Sequence, residues 1–290
     1  MNRILRDCPS PAKLNLFLHV IGQRADGYHL LQTVFQLLDY GDLLHFITRS
    51  DTQIRRITEV ENVPHDTDLI VRAARLLQNL MYQRDKNTVC GVDIEIDKKI
   101  PMGGGLGGGS SNAATTLMAL NHLWQCGFTR QELMDLGKQL GADVPFFLFG
   151  QNAFAEGIGE ILTPLETPKT WYVVINPGIV VPTPVIFQSK ELTRNTEPIR
   201  ISDFPGDYDT NAHFGKNDLQ AVATRHFHQI DQAIQWLCQF GTAKMTGSGA
   251  CVFASFKSEA DANKVLDALP SNFTGFKAKA IQVHPLHSLV

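Results

Sequence analysis

One segment limits what this chain can fold into more than any other. Pro101-Met102-Gly103-Gly104-Gly105-Leu106-Gly107-Gly108-Gly109-Ser110-Ser111 packs six of the chain's 23 glycines into seven positions. Ordering that many glycines costs conformational entropy, and a plain connector has no use for them. Before the run, Val92, Ile94 and Ile96 alternate with Asp93, Glu95 and Asp97, the period of a half-buried strand. After it the sequence predicts a helix to about Cys126, capped by Ser110 and Ser111 and stopped by Gly127. Strand, glycine loop and helix in that order make a backbone cradle for an anion. Amides without side chains approach closely, and the helix N-terminus adds unpaired N–H groups and a favourable dipole. The two serines add hydroxyls that can reach a phosphate or a metal ion.

Spacing alone narrows the type of loop. No Lys-Ser or Lys-Thr follows the glycines, which excludes a Walker loop. Gly103, Gly105 and Gly108 satisfy the dinucleotide pattern GxGxxG, as almost any glycine-rich run does. A Rossmann unit also needs an acid at a strand end some twenty residues on; Glu132 and Asp135 sit in the next expected helix instead. A Rossmann-type oxidoreductase is the weaker alternative.

Around the loop the chain reads as α+β. Leu14 to Val20 alternates as a strand, and residues 22–27 form a polar loop. Leu30–Leu38 and Leu43–Ile47 are expected as two strands of a small antiparallel sheet, joined by a turn at Asp39-Tyr40-Gly41-Asp42. Helical spacing runs from Leu69 to Tyr82; Thr129 caps a helix to about Leu140, and Asp143-Val144-Pro145 opens another. A domain boundary is expected near residue 165, giving an N-terminal domain 1–165 and a C-terminal domain 166–290. The second half should hold strands at 171–175, 179–181, 251–256 and 278–283 and helices at 219–228, 229–240 and 259–269. Residues 188–216 read as irregular. Thr246-Gly247-Ser248-Gly249-Ala250 is a second, smaller glycine turn.

Bulk properties mainly exclude. A net charge of -3 and a pI near 6.4 give no pull toward nucleic acid or anionic membrane. No run approaches the ~18 apolar residues of a membrane span, and Asp7 and Pro9 stand where a signal peptide wants an apolar core. A cytoplasmic protein is expected. Its cysteines, five in number and without a CxxC, read as buried or inert thiols. His19, His45, His122, His226 and His228 have no partner pattern and read as structural or solvated.

A second cluster gains meaning beside the loop. Lys13 and Asn15, two apart on a strand, share the face opposite Leu14, Leu16 and Leu18. If Lys13 and Asp143 meet near the glycines, the carboxylate can take a hydroxyl proton while the ammonium stabilises its charged form. Spacing alone does not bring them together.

Three motifs in sequence, Pro11-Ala12-Lys13-Leu14-Asn15-Leu16, Pro101 to Ala114, and Lys244-Met245-Thr246-Gly247-Ser248-Gly249-Ala250-Cys251, resemble the GHMP kinase superfamily, whose members phosphorylate small molecules without a Walker loop. The resemblance spans almost the whole chain and implies a two-domain α+β fold with the active site in the cleft between domains. Gly105-Leu106-Gly107-Gly108-Gly109-Ser110-Ser111-Asn112-Ala113-Ala114, with the segments 24–29 and 141–147, looks like the branch acting on a methylerythritol joined to cytidine diphosphate. That branch uses ATP to phosphorylate the 2-hydroxyl in the non-mevalonate isoprenoid precursor pathway. The mevalonate and homoserine types, which read GLGSSAA in this loop, are the alternative.

By motif position the resemblance implies Asp143 as general base and Lys13 as its electrostatic partner. Asn15 would hold the methylerythritol hydroxyls. Tyr28, His29 and Thr183 would stand at the cytidine end, and Phe187 would stack on the cytosine. The loop Pro101–Ser111 would hold ATP, with Lys98 near its nucleoside, and Gly247, Ser248 and Gly249 would support the substrate phosphates. Magnesium is implied, but no acid matches the family's metal ligand; its ligands would be mainly phosphate oxygens with Ser110 or Ser111. Monomer and homodimer both stay open.

Overall fold

The protein is described by a computed structural model covering residues 3–86 and 90–290. Two long strands, β1 (Ile4–Gln23) and β2 (His29–Arg49), run antiparallel, and β1 carries the first motif. β3 (Ile54–Arg56), α1 (Leu69–Arg84) and β4 (Gly91–Asp97) lead to the glycine loop, and α2 (Gly108–Leu123), α3 (Arg130–Gly137) and α4 (Val144–Phe149) follow it. The chain continues through β5 (Ala153–Glu156), β6 (Ile161–Pro164), β7 (Trp171–Asn176), α5 (Thr183–Phe187), α6 (Tyr208–His213), α7 (Gln220–His226) and α8 (His228–Leu237). It ends with β8 (Lys244–Met245), β9 (Val252–Phe256), α9 (Glu259–Asp267) and β10 (Thr274–Ile281). The fold class is α+β, as expected.

Among the described residues, the strands join in order β3-β4-β2-β10-β7-β9-β8, with β1 and β5 also on β2 and β6 on β5. β10 is the link: its end pairs with β2 at Leu37 and Leu38, and its body with β7. One apolar core lies between the first sheet and α1–α4, built around Phe46, Leu77, Ile94, Leu117 and Phe146. Another lies under α7–α9, around Val173, Leu219, Ile230 and Val252. Between them Leu14, Phe17, Leu106, Tyr172 and Cys251 form a third. The glycine loop enters this middle layer through Leu106.

Several expectations need correction. The turn at residues 39–42 is no turn, because β2 continues through it. On one edge β2 pairs with β1 on both sides of a register shift between Leu37 and Gly41, while on the other it changes partner from β5 and β10 to β4 across this segment. Its polar residues serve that change: Asp39 accepts from Lys279 N at 2.6 Å, and Asp42 from Lys99 N and Ile100 N at 2.7 and 2.8 Å. Gly41 lets β1 come close, since a Cβ there would lie 2.3 Å from the Ser10 carbonyl oxygen. The serines do not cap α2. Gly107 takes the N-cap place and Ser110 and Ser111 lie inside the first turn. Residues 179–181 form no strand, because both edges of β7 are taken by β10 and β9 and Pro182 starts α5. Short α6 interrupts the segment read as irregular, and β3, β5, β6 and β8 carried no usable period.

Other boundaries follow from local chemistry. Thr129 and Glu132 close a capping box on α3. Asp68 caps α1, accepting from Ile70 N at 2.8 Å. Cys8, Cys90, Cys126 and Cys251 are buried and reduced, and burial pushes the Cys251 thiol up to about 12; Cys238 is exposed. No helix among the described residues is long and apolar enough to cross a membrane.

Candidate active site

The first motif meets the glycine loop through the backbone. Lys13 N donates to Leu106 O at 3.0 Å, which fixes β1 beside the loop. The third motif meets it from the other side: Ala250 N donates to Gly103 O and Cys251 N to Gly104 O, each at 3.2 Å. The fit excludes side chains. A Cβ at Gly105, where φ is +74°, would stand 2.2 Å from the Thr246 carbonyl oxygen. Two turns far apart in sequence are thus interlocked through main-chain atoms.

At this junction Lys13 is buried, at 3% exposure. A buried ammonium must be paired, and its partners are specific. Lys13 Nζ lies 2.6 Å from Asn15 Oδ1, 3.3 Å from Asp143 Oδ2 and 5.1 Å from the centre of the Phe35 ring. Asn15 is held in turn by Thr33 Oγ1 at 3.0 Å. Asp143 occupies the N-cap place of α4, yet its side chain makes no capping bond. Its carboxylate is instead turned to Lys13 and stays about a third exposed, open to a ligand.

Three cavities adjoin one another around this point. The first, of 390 Å³, is enclosed by the glycine loop, Lys98, Ser110 and a wall of Val60, Val63 and Asp68. The second, of 370 Å³, holds Lys13, Asn15, Asp143 and Gly247–Gly249 and shares Gly103, Gly105, Gly107 and Ser110 with the first. The third, of 610 Å³, holds Tyr28 and His29 and shares Thr183 and Phe187 with the second. They form one trough, with a backbone cradle at one end and an aromatic pocket at the other.

Most of the residues singled out from the sequence line this trough, and one does not. Ser111 is fully buried and shares a 2.8 Å hydrogen bond with Ser10 Oγ, so of the two serines after the glycines Ser110 alone lines the trough. Thr183 Oγ1 and Ser248 Oγ lie 2.9 Å apart across the middle.

Sequence reasoning missed three groups. Asp42, fully buried, holds Lys98 Nζ at 2.9 Å and with it the entrance to the loop. Arg56 pairs with Asp68 in the wall of the first cavity. Arg194 donates from Nε to His29 Nε2 at 3.0 Å. Asp42 sat in the misread turn, and Arg194 in a stretch without period; neither had a signal of its own.

Among the described residues, no three His, Cys, Asp or Glu side chains are grouped to hold a metal ion. Asp143 and Ser110 are oxygen donors on the same cavity. That set fits a magnesium ion, which keeps several waters and is commonly held by one or two protein oxygens plus phosphates. The loop itself does not open a βαβ unit: β5, the strand after α2, pairs with β2 and not with β4. This removes the structural basis for a Rossmann reading.

Comparison with known proteins agrees with the geometry. Residues 68–151 match the GHMP kinases N-terminal domain and residues 205–275 the GHMP kinases C-terminal domain. The 4-diphosphocytidyl-2-C-methyl-D-erythritol kinase of Janthinobacterium sp. (strain Marseille) is 62% identical over 99% of this chain and 98% of its own length. That of Herminiimonas arsenicoxydans is 63% identical over the same shares. A crystal structure of a 4-(cytidine 5'-diphospho)-2C-methyl-D-erythritol kinase superposes with a TM-score of 0.75 at 32% identity, covering 97% of this chain and 99% of the other. With an interlocked glycine loop, a buried Lys–Asp pair and near-full-length identity above 60%, the chain belongs to the GHMP kinases, in the 4-diphosphocytidyl-2-C-methyl-D-erythritol kinase family.

Proposed function

We propose that this chain transfers the γ-phosphoryl group of ATP to the 2-hydroxyl of 4-diphosphocytidyl-2-C-methyl-D-erythritol, in the non-mevalonate isoprenoid precursor pathway. The observation that carries the reading is the Lys13–Asp143 pair at the middle of a trough with an anion cradle at one end and an aromatic pocket at the other. The names of the relatives, 62% and 63% identical over 99% of this chain, supply the substrate.

In this reading ATP places its phosphates against residues 101–110 and its nucleoside toward Lys98 and the Val60–Val63 wall. Asn15 and Asp143 receive the methylerythritol hydroxyls, and Asp143 accepts the proton of the one that attacks. Lys13 pairs with the Asp143 carboxylate and offsets charge on the transferring group; positioning and electrostatics supply most of the rate in such transfers. Gly247, Ser248 and Gly249 steady the substrate phosphates. Tyr28, His29, Thr183 and Phe187 take the cytidine, the base stacking on Phe187. Ser110 and Asp143 would hold a magnesium ion beside the phosphates, and it would supply neutralisation of their charge.

The division near residue 165 belongs to the proposal: β6 ends at Pro164 and β7 begins at Trp171, and the trough takes walls from both sides of that point.

The test is direct. Purified protein with ATP, magnesium and the cytidyl substrate should release ADP in a substrate-dependent way, and mevalonate or homoserine in its place should give none. Turnover of either alternative alcohol with no response to the cytidyl substrate would overturn the assignment.

A further inference from the structure

The aromatic pocket holds a residue that the proposed reaction leaves unused. Arg194 lies beyond α5, and all three of its guanidinium nitrogens are engaged. Nε donates to His29 Nε2 at 3.0 Å, Nη1 to Leu192 O at 3.1 Å, and Nη2 to Phe187 O and Ser189 O at 3.0 and 2.8 Å. It therefore ties the backbone of Phe187 to the ring of His29, and the two rings sit with centroids 5.1 Å apart. Arg194 itself borders the cavity.

A guanidinium has only donors. Whatever it bonds must accept, so His29 Nε2 presents its lone pair to Arg194. A neutral imidazole carries one proton, which then resides on Nδ1. Burial, followed by the Arg194 charge, holds the His29 pKa below its ordinary range, so the ring is neutral at pH 7. The other polar side chains on this pocket are less selective: Gln23 and Gln188 end in amides and Tyr28 and Thr183 in hydroxyls, which turn to donate or accept. With the Arg194 nitrogens engaged as described, an imidazole of fixed tautomer is the side chain that tells a donor from an acceptor here.

We propose that Arg194 is a positioning residue that locks His29 in its Nδ1–H tautomer and so makes the pocket select cytosine over uracil. The chemistry of the bases supplies the link. Cytosine N3 is an acceptor and matches Nδ1–H; uracil carries a proton on N3 and meets it donor to donor. A site built to hydrogen-bond one base penalises the other, because its own polar group is left unpaired. The inference rests on the proposed reading that the cytidine lies in this pocket.

Two measurements test it. Nitrogen-15 NMR of the histidine rings, with His29 assigned by its loss in His29→Gln, reads the tautomer in the wild-type protein without any change at Arg194. Protonation at Nδ1 is expected; a majority of Nε2–H overturns the proposal. Calorimetric titration with CDP and UDP reads selectivity. The wild-type protein should prefer CDP by about tenfold or more. Arg194→Met should mix the tautomers and bring the two affinities to within about threefold, while Arg194→Lys, which keeps a donor, should recover much of the preference. An unchanged CDP/UDP ratio in a folded Arg194→Met overturns the selectivity role. If CDP fails to bind the wild-type protein, the cytidine reading falls and selectivity falls with it; the tautomer assignment is still decided by the NMR.

Discussion

The two ends of the trough are made of different material. At the glycine end the contacts are main chain to main chain: Lys13 N to Leu106 O, Ala250 N to Gly103 O, Cys251 N to Gly104 O. At the aromatic end they are side chain to side chain, or side chain to main chain: Arg194 to His29, Arg194 to Phe187 O, Phe187 against His29. Tyr28 there is 60% exposed, while Lys13 at the centre is 3% exposed. Backbone contacts are indifferent to most substitutions but intolerant of added volume. Side-chain contacts can be replaced one at a time. A phosphate cradle common to many substrates belongs on the first kind of scaffold, and a reader of one base on the second.

The sharpest way to separate the two ends is to remove the chemistry between them. Asp143→Asn should keep ATP affinity within about threefold, since the loop backbone holds the phosphates, and lower kcat by about 10² or more. Lys13→Ala should also act mainly on kcat, because it leaves Asp143 without its charge partner. Near-normal turnover in Asp143→Asn removes that carboxylate from the base role. A Lys13→Ala defect confined to nucleotide affinity makes the lysine a binding group.

The next contrast lies within the glycines. Gly105→Ala drives a Cβ into the Thr246 carbonyl at a positive φ, and should cost about 2 kcal/mol or more in unfolding free energy. Gly109→Ala places its Cβ 3.4 Å from Leu69 Cδ1 inside the first turns of α2. It should be neutral or stabilising by up to about 1 kcal/mol. Denaturant titration of both variants reads the difference, and equal stability would mean that the loop is not interlocked with the third motif.

These contrasts follow the line between what the sequence disclosed and what it concealed. The cradle was legible because six glycines between an alternating run and a helix have few other uses. Lys13 and Asp143 were named, but their 3.3 Å approach depends on α2, which packs against both β1 and α4, and no local pattern encodes that. The turn at 39–42 was misread because Asp-Tyr-Gly-Asp looks the same at a hairpin and at a change of strand partner. α2 was capped in the wrong place because serines beside glycines look like caps, although Gly107 can end the loop without a side chain. Arg194 was invisible: its value lies in three carbonyls and one imidazole nitrogen brought together by tertiary structure.

At the aromatic end the expected effects are smaller and fall on KM. Phe187→Ala should raise KM for the cytidyl substrate by about tenfold, in line with ~1–3 kcal/mol for stacking one base, with kcat little changed. Tyr28→Ala should raise it by no more than about threefold, since most of the ring is already in water. Steady-state kinetics with ATP saturating separates the two. If Tyr28→Ala were the more damaging, the base would have to lie against the exposed ring and not against Phe187.

Acid should also act at one end only. Burial and the Arg194 charge lower the pKa of His29 from its ordinary 6.5, so the folded protein resists protonating this ring. A lowered pKa means that the neutral, cytidine-binding form is complete above pH 6.5 and is lost only as pH falls through the lower, folded value. KM for the cytidyl substrate should therefore be flat from about pH 8 to 6.5 and rise only in more acidic buffer. Among the described residues lining the first and second cavities there is no histidine, so the cradle has no equivalent histidine titration. The acid limb should disappear in His29→Gln, and in Arg194→Met it should move toward higher pH as the repelling charge is removed. A limb that survives unchanged in His29→Gln belongs to another group, and the distinction between the two ends would then have to be drawn without it.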